Sequence, residues 1–177
     1  NRAEAKRLLK EAGHANLSFE LHNRGVDQPY KVLGIWLIDQ WKKIGVKATH
    51  RVQASPAFYA TLRKKFDYEV SIDFNCQSVI NPIADITKFL GSAGNNYGQY
   101  EDQVLEDTYN KIARSPDPSE QRRLIRQYET RALSEMAHIS ITLWWYKINP
   151  HRSYVKGWKI APSHYLNQQL DNVWLDK

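Results

Sequence analysis

The fold of this chain is decided by residues 17–52, which read LSFELHNRGVDQPYKVLGIWLIDQWKKIGVKATHRV. Apolar and polar residues alternate over residues 17–22 and again over residues 46–53, which is the period of a half-buried strand. Between these segments, apolar residues recur every three or four positions over residues 29–44, and Gly45 ends that run. The spacing predicts a strand, a helix and a second strand.

The same kinds of pattern continue on both sides of this stretch. A helix is predicted before it, over residues 3–12, because apolar residues recur there at helical spacing, and Gly13 suits the left-handed position that ends many helices. After it, Ser55 is expected to cap a helix that has Pro56 in its first turn, and alternation over residues 68–74 predicts a third strand. Alternating helices and strands with short connections imply right-handed crossovers. The predicted fold class is therefore α/β, with a largely parallel sheet flanked by helices.

The second half of the chain is predicted to be mainly helical. One helix is expected to begin near residue 104, and Asp117 with Pro118 provides the cap and first-turn proline of the next. Alternation over residues 139–143 predicts a last strand. From residue 147 onward the periodicity fades, so no element is predicted there.

Composition limits the classes of protein to which this chain could belong. Its 177 residues are 42% hydrophobic and 25% charged, which excludes disordered and low-complexity classes. A single cysteine, Cys76, excludes a disulfide framework and multi-cysteine zinc sites. The histidines are dispersed, so no metal site or cofactor is expected. The net charge of +6 permits an acidic partner without selecting one.

Two short segments carry the candidate ligand-binding residues. One follows the third predicted strand, at the carboxyl end where open α/β sheets usually bind ligands. The other is an aromatic cluster at the end of the last predicted strand, whose rings either line a cleft or cover a helix. The candidate residues are Phe74, Asn75, Cys76, Gln77, Ser78, Trp144, Trp145 and Tyr146.

Two alternative functions stay open at this point. A small α/β thiol-dependent enzyme would use Cys76 as its nucleophile and would need a histidine brought beside it by the fold. A nucleic-acid-binding module would use the basic pairs at residues 42–43, 64–65 and 122–123. These pairs lie at predicted helix ends or on solvated faces and are interspersed with acidic residues.

The order of the elements and several short phrases resemble one family, the family 5 extracellular solute-binding proteins. This family serves oligopeptide, dipeptide and nickel ABC importers. The phrases lie at residues 3–13 (AEAKRLLKEAG), 41–47 (WKKIGVK), 66–67 (FD), 81–82 (NP), 96–100 (NYGQY), 117–123 (DPSEQRR) and 155–158 (VKGW). The resemblance covers nearly the whole chain.

The resemblance implies a two-lobed binding protein of the periplasmic type (type II), of which this chain is the C-terminal portion. Residues 1–146 would form the C-terminal ligand-binding lobe, and residues 147–177 would return to the N-terminal lobe of the same protein. Such a protein is not an enzyme: it captures a solute by closure of its two lobes and delivers it to an ABC permease. The implied location is periplasmic or otherwise extracytoplasmic, with a lipid anchor as one form of attachment, and nucleic acid is not an implied partner.

One departure from the family pattern bears on the ligand. Peptide-binding members typically place an aspartate four residues before the proline of the acidic-Pro pair, where it holds the peptide's ammonium group. Here that position is Ser78, the pair is Asn81-Pro82, and no acidic residue lies between Phe74 and Asn81. A neutral loop lacks the charge-assisted bond to a free amino terminus. The implied ligand is therefore a peptide-like or other small solute, contacted by amide and hydroxyl groups and by the rings of Trp144 or Tyr146.

Overall fold

The computed structural model describes residues 1–76, 81–144, 148–160 and 170–177. The chain divides into two units, Asn1–Phe74 and Asn75–Lys177. Within the described residues, no helix is both long and apolar enough to cross a membrane.

The first unit alternates helices and strands, as predicted from its sequence. In chain order, its elements are α1 (Arg2–Glu11), β1 (Ser18–Arg24), α2 (Val32–Lys42), β2 (Lys47–Gln53), α3 (Ser55–Ala60) and β3 (Val70–Ser71). Helix α3 is extended by a wider, π-helical turn at Thr61–Lys65, whereas the turn at Asp27–Lys31 before α2 is interrupted by Gln28, whose backbone is extended (φ −111°, ψ 129°). The structure confirms the predicted α/β class.

Helix α1 ends at Glu11, two residues before Gly13, as the sequence predicts. Gly13 has φ +78°, and its amide donates to the carbonyl of Lys10 while that of His14 donates to Leu9. These two bonds satisfy carbonyls that the last turn of a helix would otherwise leave unpaired. The glycine is required here because its φ is rarely adopted by residues that have a Cβ.

The three strands of the first unit form a parallel sheet in the order β2-β1-β3. Strand β1 lies in the centre, and its three fully buried residues are Leu21, His22 and Asn23. The third strand is shorter than predicted, since only Val70 and Ser71 of residues 68–74 pair with β1. The carboxyl ends of all three strands lie at one edge of the sheet.

Helices cover both faces of this sheet. On one face, the ring of Trp41 in α2 meets that of Phe19 edge to face, with ring centroids 5.1 Å apart. On the other face, Phe58 of α3 stacks on His22 at 4.5 Å. Trp36 of α2 is 55% exposed, although it lies in the apolar pattern over residues 29–44. Helix α2 is apolar on both sides, so periodicity alone does not identify its buried face.

The second unit is mainly helical. A single turn of 3₁₀-helix follows its first helix at Ile86–Phe89, and a π-helical turn at Thr130–Glu135 extends its last. Its elements are α4 (Pro82–Asp85), α5 (Gln103–Arg114), α6 (Pro118–Glu129), β4 (Val155–Lys156) and β5 (Trp174–Leu175). The last two form a short antiparallel pair.

The helices of the second unit enclose an apolar core. The buried residues of this core are Ile86, Phe89, Leu90, Leu105, Ile112, Leu124, Tyr128 and Ala132. The Tyr128 hydroxyl donates to the carbonyl of Ile86 at 3.0 Å, so the largest buried side chain is also satisfied. Asp117 caps α6 through the amide of Ser119, as predicted.

The predicted strand over residues 139–143 does not form. These residues have no regular secondary structure, and Ile141 is 55% exposed. A strand needs a neighbour for its backbone groups, and the described part of the second unit pairs no strand with this segment. The predicted boundary at residue 146 lies outside the described residues and stays a prediction.

Candidate functional site

The carboxyl edge of the parallel sheet gathers a polar and aromatic cluster in the first unit. Strand β1 ends at Arg24, which is paired in register with Gln53 at the end of β2. Ligands of open α/β sheets usually bind beyond the carboxyl ends of the strands. The end of β1 is therefore the candidate functional site of this unit.

The guanidinium of Arg24 is surrounded by aromatic rings. Its central carbon lies 4.0 Å from the ring centroid of Tyr30, 5.6 Å from that of Tyr59 and 5.5 Å from that of Phe74. Its Nη1 donates a hydrogen bond of 2.8 Å to the Tyr59 hydroxyl. Its Nε is buried and has no hydrogen-bond acceptor among the described residues. These contacts hold a partly buried cation in one orientation.

Tyr59 remains neutral in this site. Burial, followed by the nearby Asp73 carboxylate, raises the pKa of Tyr59 to about 12. The hydroxyl accepts from Arg24 and lies 3.5 Å from Oδ1 of Asp73. Because the phenol keeps its proton at neutral pH, it positions the guanidinium without neutralising its charge.

Tyr30 is positioned by a buried asparagine on β1. The Asn23 Nδ2 group donates to the carbonyl of Tyr30 at 2.7 Å and to Nε2 of His50 at 2.9 Å. Its Oδ1 accepts from the amide of Arg24 at 2.8 Å. The fully buried side chain of Asn23 thus links Tyr30 to the end of β1.

Behind the cluster, the buried His22 and the partly buried Gln53 form a second hydrogen-bond network. Oε1 of Gln53 accepts from the Thr61 hydroxyl at 3.1 Å and lies 2.7 Å from Nε2 of His22. Because an amide oxygen only accepts, we assign the proton of neutral His22 to Nε2. Nδ1 then accepts from the Ser71 hydroxyl at 3.4 Å. Burial lowers the pKa of His22, so the neutral ring is favoured.

Four of the eight candidate ligand-binding residues lie in the part of the chain that the structure describes. Phe74 is 43% exposed and belongs to the aromatic surroundings of Arg24. Asn75 is exposed, Cys76 is partly buried with a free thiol, and Trp144 is 86% exposed. The remaining candidates lie outside the described residues: Gln77, Ser78, Trp145 and Tyr146. The roles assigned to all eight stay predictions.

Sequence reasoning missed the residues at the end of β1. Arg24, Tyr30 and Tyr59 were not among the candidates, although Arg24 ends the alternating segment. Arg24, like Phe74, lies at the carboxyl end of a strand, where open α/β sheets usually bind ligands. What the sequence does not show is that Tyr30 and Tyr59 are both brought to this arginine.

The second unit has a surface groove between α5 and α6, with a volume of about 660 Å³. Four arginines line it, at positions 122, 123, 126 and 131. Arg123 pairs with Glu120, and Arg131 pairs with Asp102 and Glu135, so part of this charge is compensated within the unit. The basic pair at residues 122–123 is therefore partly engaged in helix ion pairs, which contribute little individually.

Two observations bear on catalysis through the Cys76 thiol and on metal binding. Of the histidines that the structure describes in the second unit, neither His138 nor His151 hydrogen-bonds to the thiol of Cys76. Across the described ranges, no group of three or more histidine, cysteine, aspartate or glutamate side chains is placed to hold a metal ion.

Comparison with solved structures finds similar folds. The periplasmic binding protein DppA of an ABC transporter from Helicobacter pylori, solved with the peptide STSA, superposes on 99% of this chain with a TM-score of 0.82 and 20% identity. HbpA2 from Haemophilus parasuis matches 78% of the chain with a TM-score of 0.70 and 22% identity. OppA from Haemophilus influenzae, solved with the peptide RPPGFSPFR, matches 74% with a TM-score of 0.66 and 18% identity.

The matched regions span about a quarter to a third of the length of these proteins, covering 34% of DppA, 28% of HbpA2 and 26% of OppA. No protein-family profile matches the sequence. No curated protein is similar enough in sequence to match. The chain therefore has the α/β fold of one portion of type II periplasmic binding proteins, which confirms the predicted fold.

Proposed function

We propose that this chain is the C-terminal portion of the substrate-binding component of an ABC importer. The observation that carries the proposal is the structural match over 99% of the chain to a periplasmic binding protein that was solved with a peptide. The site itself also supports the proposal. Arg24 and the rings of Tyr30, Tyr59 and Phe74 lie at the carboxyl edge of the sheet, where open α/β sheets usually bind ligands.

The proposed ligand is a peptide-like or other small solute, and no covalent chemistry is required. The chain supplies one wall of the binding cleft, and the rest of the longer protein supplies the opposing wall by closure. A pocket closed on both sides can bury most of the surface of a small ligand, which a single wall does not. The proposed partners are accordingly the N-terminal lobe and an ABC permease.

The proposed location follows from the same role. A binding component that delivers a solute to an importer works on the outer side of the membrane that holds the permease. We therefore place the protein in the periplasm or, with a lipid anchor, on the outer surface of the cytoplasmic membrane. The six phrases outside the tail and the closing VKGW phrase support the same assignment through their order along the chain.

The test is mass spectrometry of small molecules that co-purify with the full-length protein and are released by denaturation. Peptides or a single organic solute, present in stoichiometric amount, are the expected result. A matched preparation of an unrelated protein purified in the same way controls for carry-over. Absence of any enriched solute, together with no binding of peptides added to the stripped protein, would contradict the proposal.

A further inference from the structure

One side of helix α2 presents apolar side chains to solvent. Val32, Ile35 and Trp36 are 51%, 62% and 55% exposed, and their spacing of three or four residues places them on one side of the helix. The opposite side packs on the sheet through Gly34 and the ring of Trp41. The exposed side is called the outer face of α2 below.

Helix formation does not explain the residues of the outer face. Valine and isoleucine are β-branched and, like tryptophan, favour a helix less than leucine, lysine or glutamate does. The exposed side of a surface helix is ordinarily polar, and a contiguous exposed apolar patch marks a surface that binds another molecule. The outer face of α2 therefore has the character of an interface.

An ion pair lies at each end of these apolar residues. At one end, Nζ of Lys31 lies 2.7 Å from Oδ1 of Asp27, and at the other end Lys43 pairs with Asp39. In both pairs the aspartate precedes the lysine by four residues, and all four side chains remain accessible to solvent. The two ends of the outer face thus carry the same order of charges along the chain.

This arrangement is complementary to itself when two copies of α2 lie antiparallel. Reversing one helix places its apolar residues against those of the other copy, with Ile35 nearest the two-fold axis. The same reversal places Lys43 of each copy opposite Asp27 of the other. An isologous interface requires such self-complementarity, because one patch serves both copies.

The charges favour a second copy over a membrane surface as the occupant. Anionic lipid headgroups attract clusters of lysine and arginine whose charge is uncompensated. Lys31 and Lys43, which border the apolar residues, are each paired with an aspartate. Such pairs can be exchanged for pairs between two copies without leaving any charge unpaired.

We propose that the outer face of α2 is the interface of a symmetric dimer in which the two α2 helices pack antiparallel. The inference does not depend on the proposed function or on its ligand. Helix α2 has 11 residues and is about 16 Å long, so it buries less than the roughly 800 Å² per partner of a standard interface. The dimer is therefore weak, with a Kd of about 10–100 μM.

The first test is sedimentation velocity of the full-length protein at concentrations below and above this range. Wild type is expected to change from monomer to dimer as its concentration rises. Trp36→Glu places a charge in the apolar centre of the interface and should raise the Kd at least about 10-fold. Val104→Glu is the matched control, because Val104 is equally exposed, at 53%, but lies on α5, and it should dimerise as wild type does.

A second test uses the predicted pairing of charges. Lys43→Asp places like charges opposite each other and should raise the Kd about 3- to 10-fold. Adding Asp27→Lys to this variant should recover most of the lost affinity. Lys6→Asp changes the net charge by the same amount at an exposed position of α1 and should leave the Kd unchanged. Thermal unfolding of each variant checks that it is folded.

A third test is disulfide cross-linking in a Cys76→Ser background, which removes the native thiol. Ile35→Cys lies nearest the proposed two-fold axis, so mild oxidation should join two copies. Glu129→Cys, at an exposed position of α6, is the control and should remain monomeric under the same conditions.

Three results would overturn the proposal. The first is a wild-type protein that stays monomeric at every concentration, and the second is a dimer that neither Trp36→Glu nor Lys43→Asp weakens. The third is a monomer that binds vesicles of anionic lipid through Trp36, which would assign the outer face of α2 to a membrane surface instead.

Discussion

A buried histidine in the middle of β1 makes the stability of the first unit depend on pH. Burial lowers the pKa of His22, with Arg51 adding to this effect and Gln53, Glu20 and Asp67 opposing it. Burial also lowers the pKa of His50, which accepts a hydrogen bond from Asn23. In the unfolded chain, a histidine titrates near pH 6.5.

The sign of the resulting pH dependence follows from linkage. Because the folded pKa lies below the unfolded one, the unfolded state takes up protons first as the pH falls. We expect the free energy of unfolding, measured with urea, to decrease as the pH falls from about 7 to about 5. His22→Gln and His50→Gln should each flatten this slope. A constant or rising free energy of unfolding over this range would contradict the assignment.

A second prediction concerns Asp102, the cap of α5. This buried carboxylate accepts from the amides of Val104 and Leu105 and from Nε of Arg131 at 2.9 Å. Burial raises its pKa, but the Arg131 bond and the backbone bonds outweigh this and hold the pKa below the usual value. Asp102→Ala should reduce the free energy of unfolding by about 2–3 kcal/mol, since it removes both a cap and a charge-assisted bond.

Asparagine at the same position separates the two contributions. Asp102→Asn keeps a capping oxygen and should cost about half as much as the alanine variant. Asp117 serves as the matched control, because it caps α6 and forms no ion pair within the described chain. Its alanine variant should cost about 1 kcal/mol, and its asparagine variant almost nothing. Equal losses for both alanine variants would show that the Arg131 bond contributes no stability.

At the scale of single residues, local chemistry is what the sequence predicts well. The Asp117-Pro118 start and the Gly13 end of their helices each depend on two or three neighbouring residues, and the structure has both. Ser55 was expected to cap α3, but Ala54 occupies that position without a side-chain bond. The surroundings of Arg24 could not be predicted, because they include the rings of Tyr59 and Phe74, which lie up to 50 residues away along the chain.

Helix α2 packs onto the sheet through a glycine. A Cβ at Gly34 would lie 2.6 Å from Nδ2 of Asn23 and 2.6 Å from Nε2 of His50. These two atoms are hydrogen-bonded to each other in the interior and have little freedom to move apart. The absence of a side chain at Gly34 thus sets how closely the helix approaches the strands that carry the site.

Gly34→Ala is expected to lower the free energy of unfolding by about 1–3 kcal/mol, even though alanine favours a helix by about 1 kcal/mol. Gly94→Ala provides the matched control, because no atom lies within 4 Å of a Cβ built there. That variant should unfold at the same denaturant concentration as wild type or slightly higher. A Gly34→Ala protein as stable as wild type would disprove the close packing.

At the scale of elements, some helices and strands can be predicted from the residues within them, whereas other strands depend on a pairing partner elsewhere in the fold. The patterns that predict α2, β1 and β2 lie within the elements themselves, and all three form. The alternation over residues 68–74 and 139–143 is similar, yet only two residues of the first segment and none of the second form a strand. Strand formation needs a partner at the correct distance, and a partner is a property of the fold rather than of the segment.

At the scale of the whole molecule, the order of helices and strands along the chain is what predicts the fold. Residues 1–74 and 75–177 form separate units in the structure. The mainly helical character of the second half was predicted from the sequence, but the position of this division was not. The α/β class and the resemblance to solute-binding proteins were predicted from the order of elements and phrases, and the structural match confirms the fold. Ligand contacts depend on side chains from separate elements, and the candidate ligand-binding residues stay predictions.

The measurement that tests this account most directly is amide hydrogen exchange on the full-length protein. It is made after the bound solutes are stripped and again after they are added back. If the carboxyl edge of the sheet binds the solute, exchange should slow at residues 24–30 and around Tyr59, with no change in the core of α5 and α6. Solute binding that slows exchange elsewhere and leaves residues 24–30 unchanged would contradict the account.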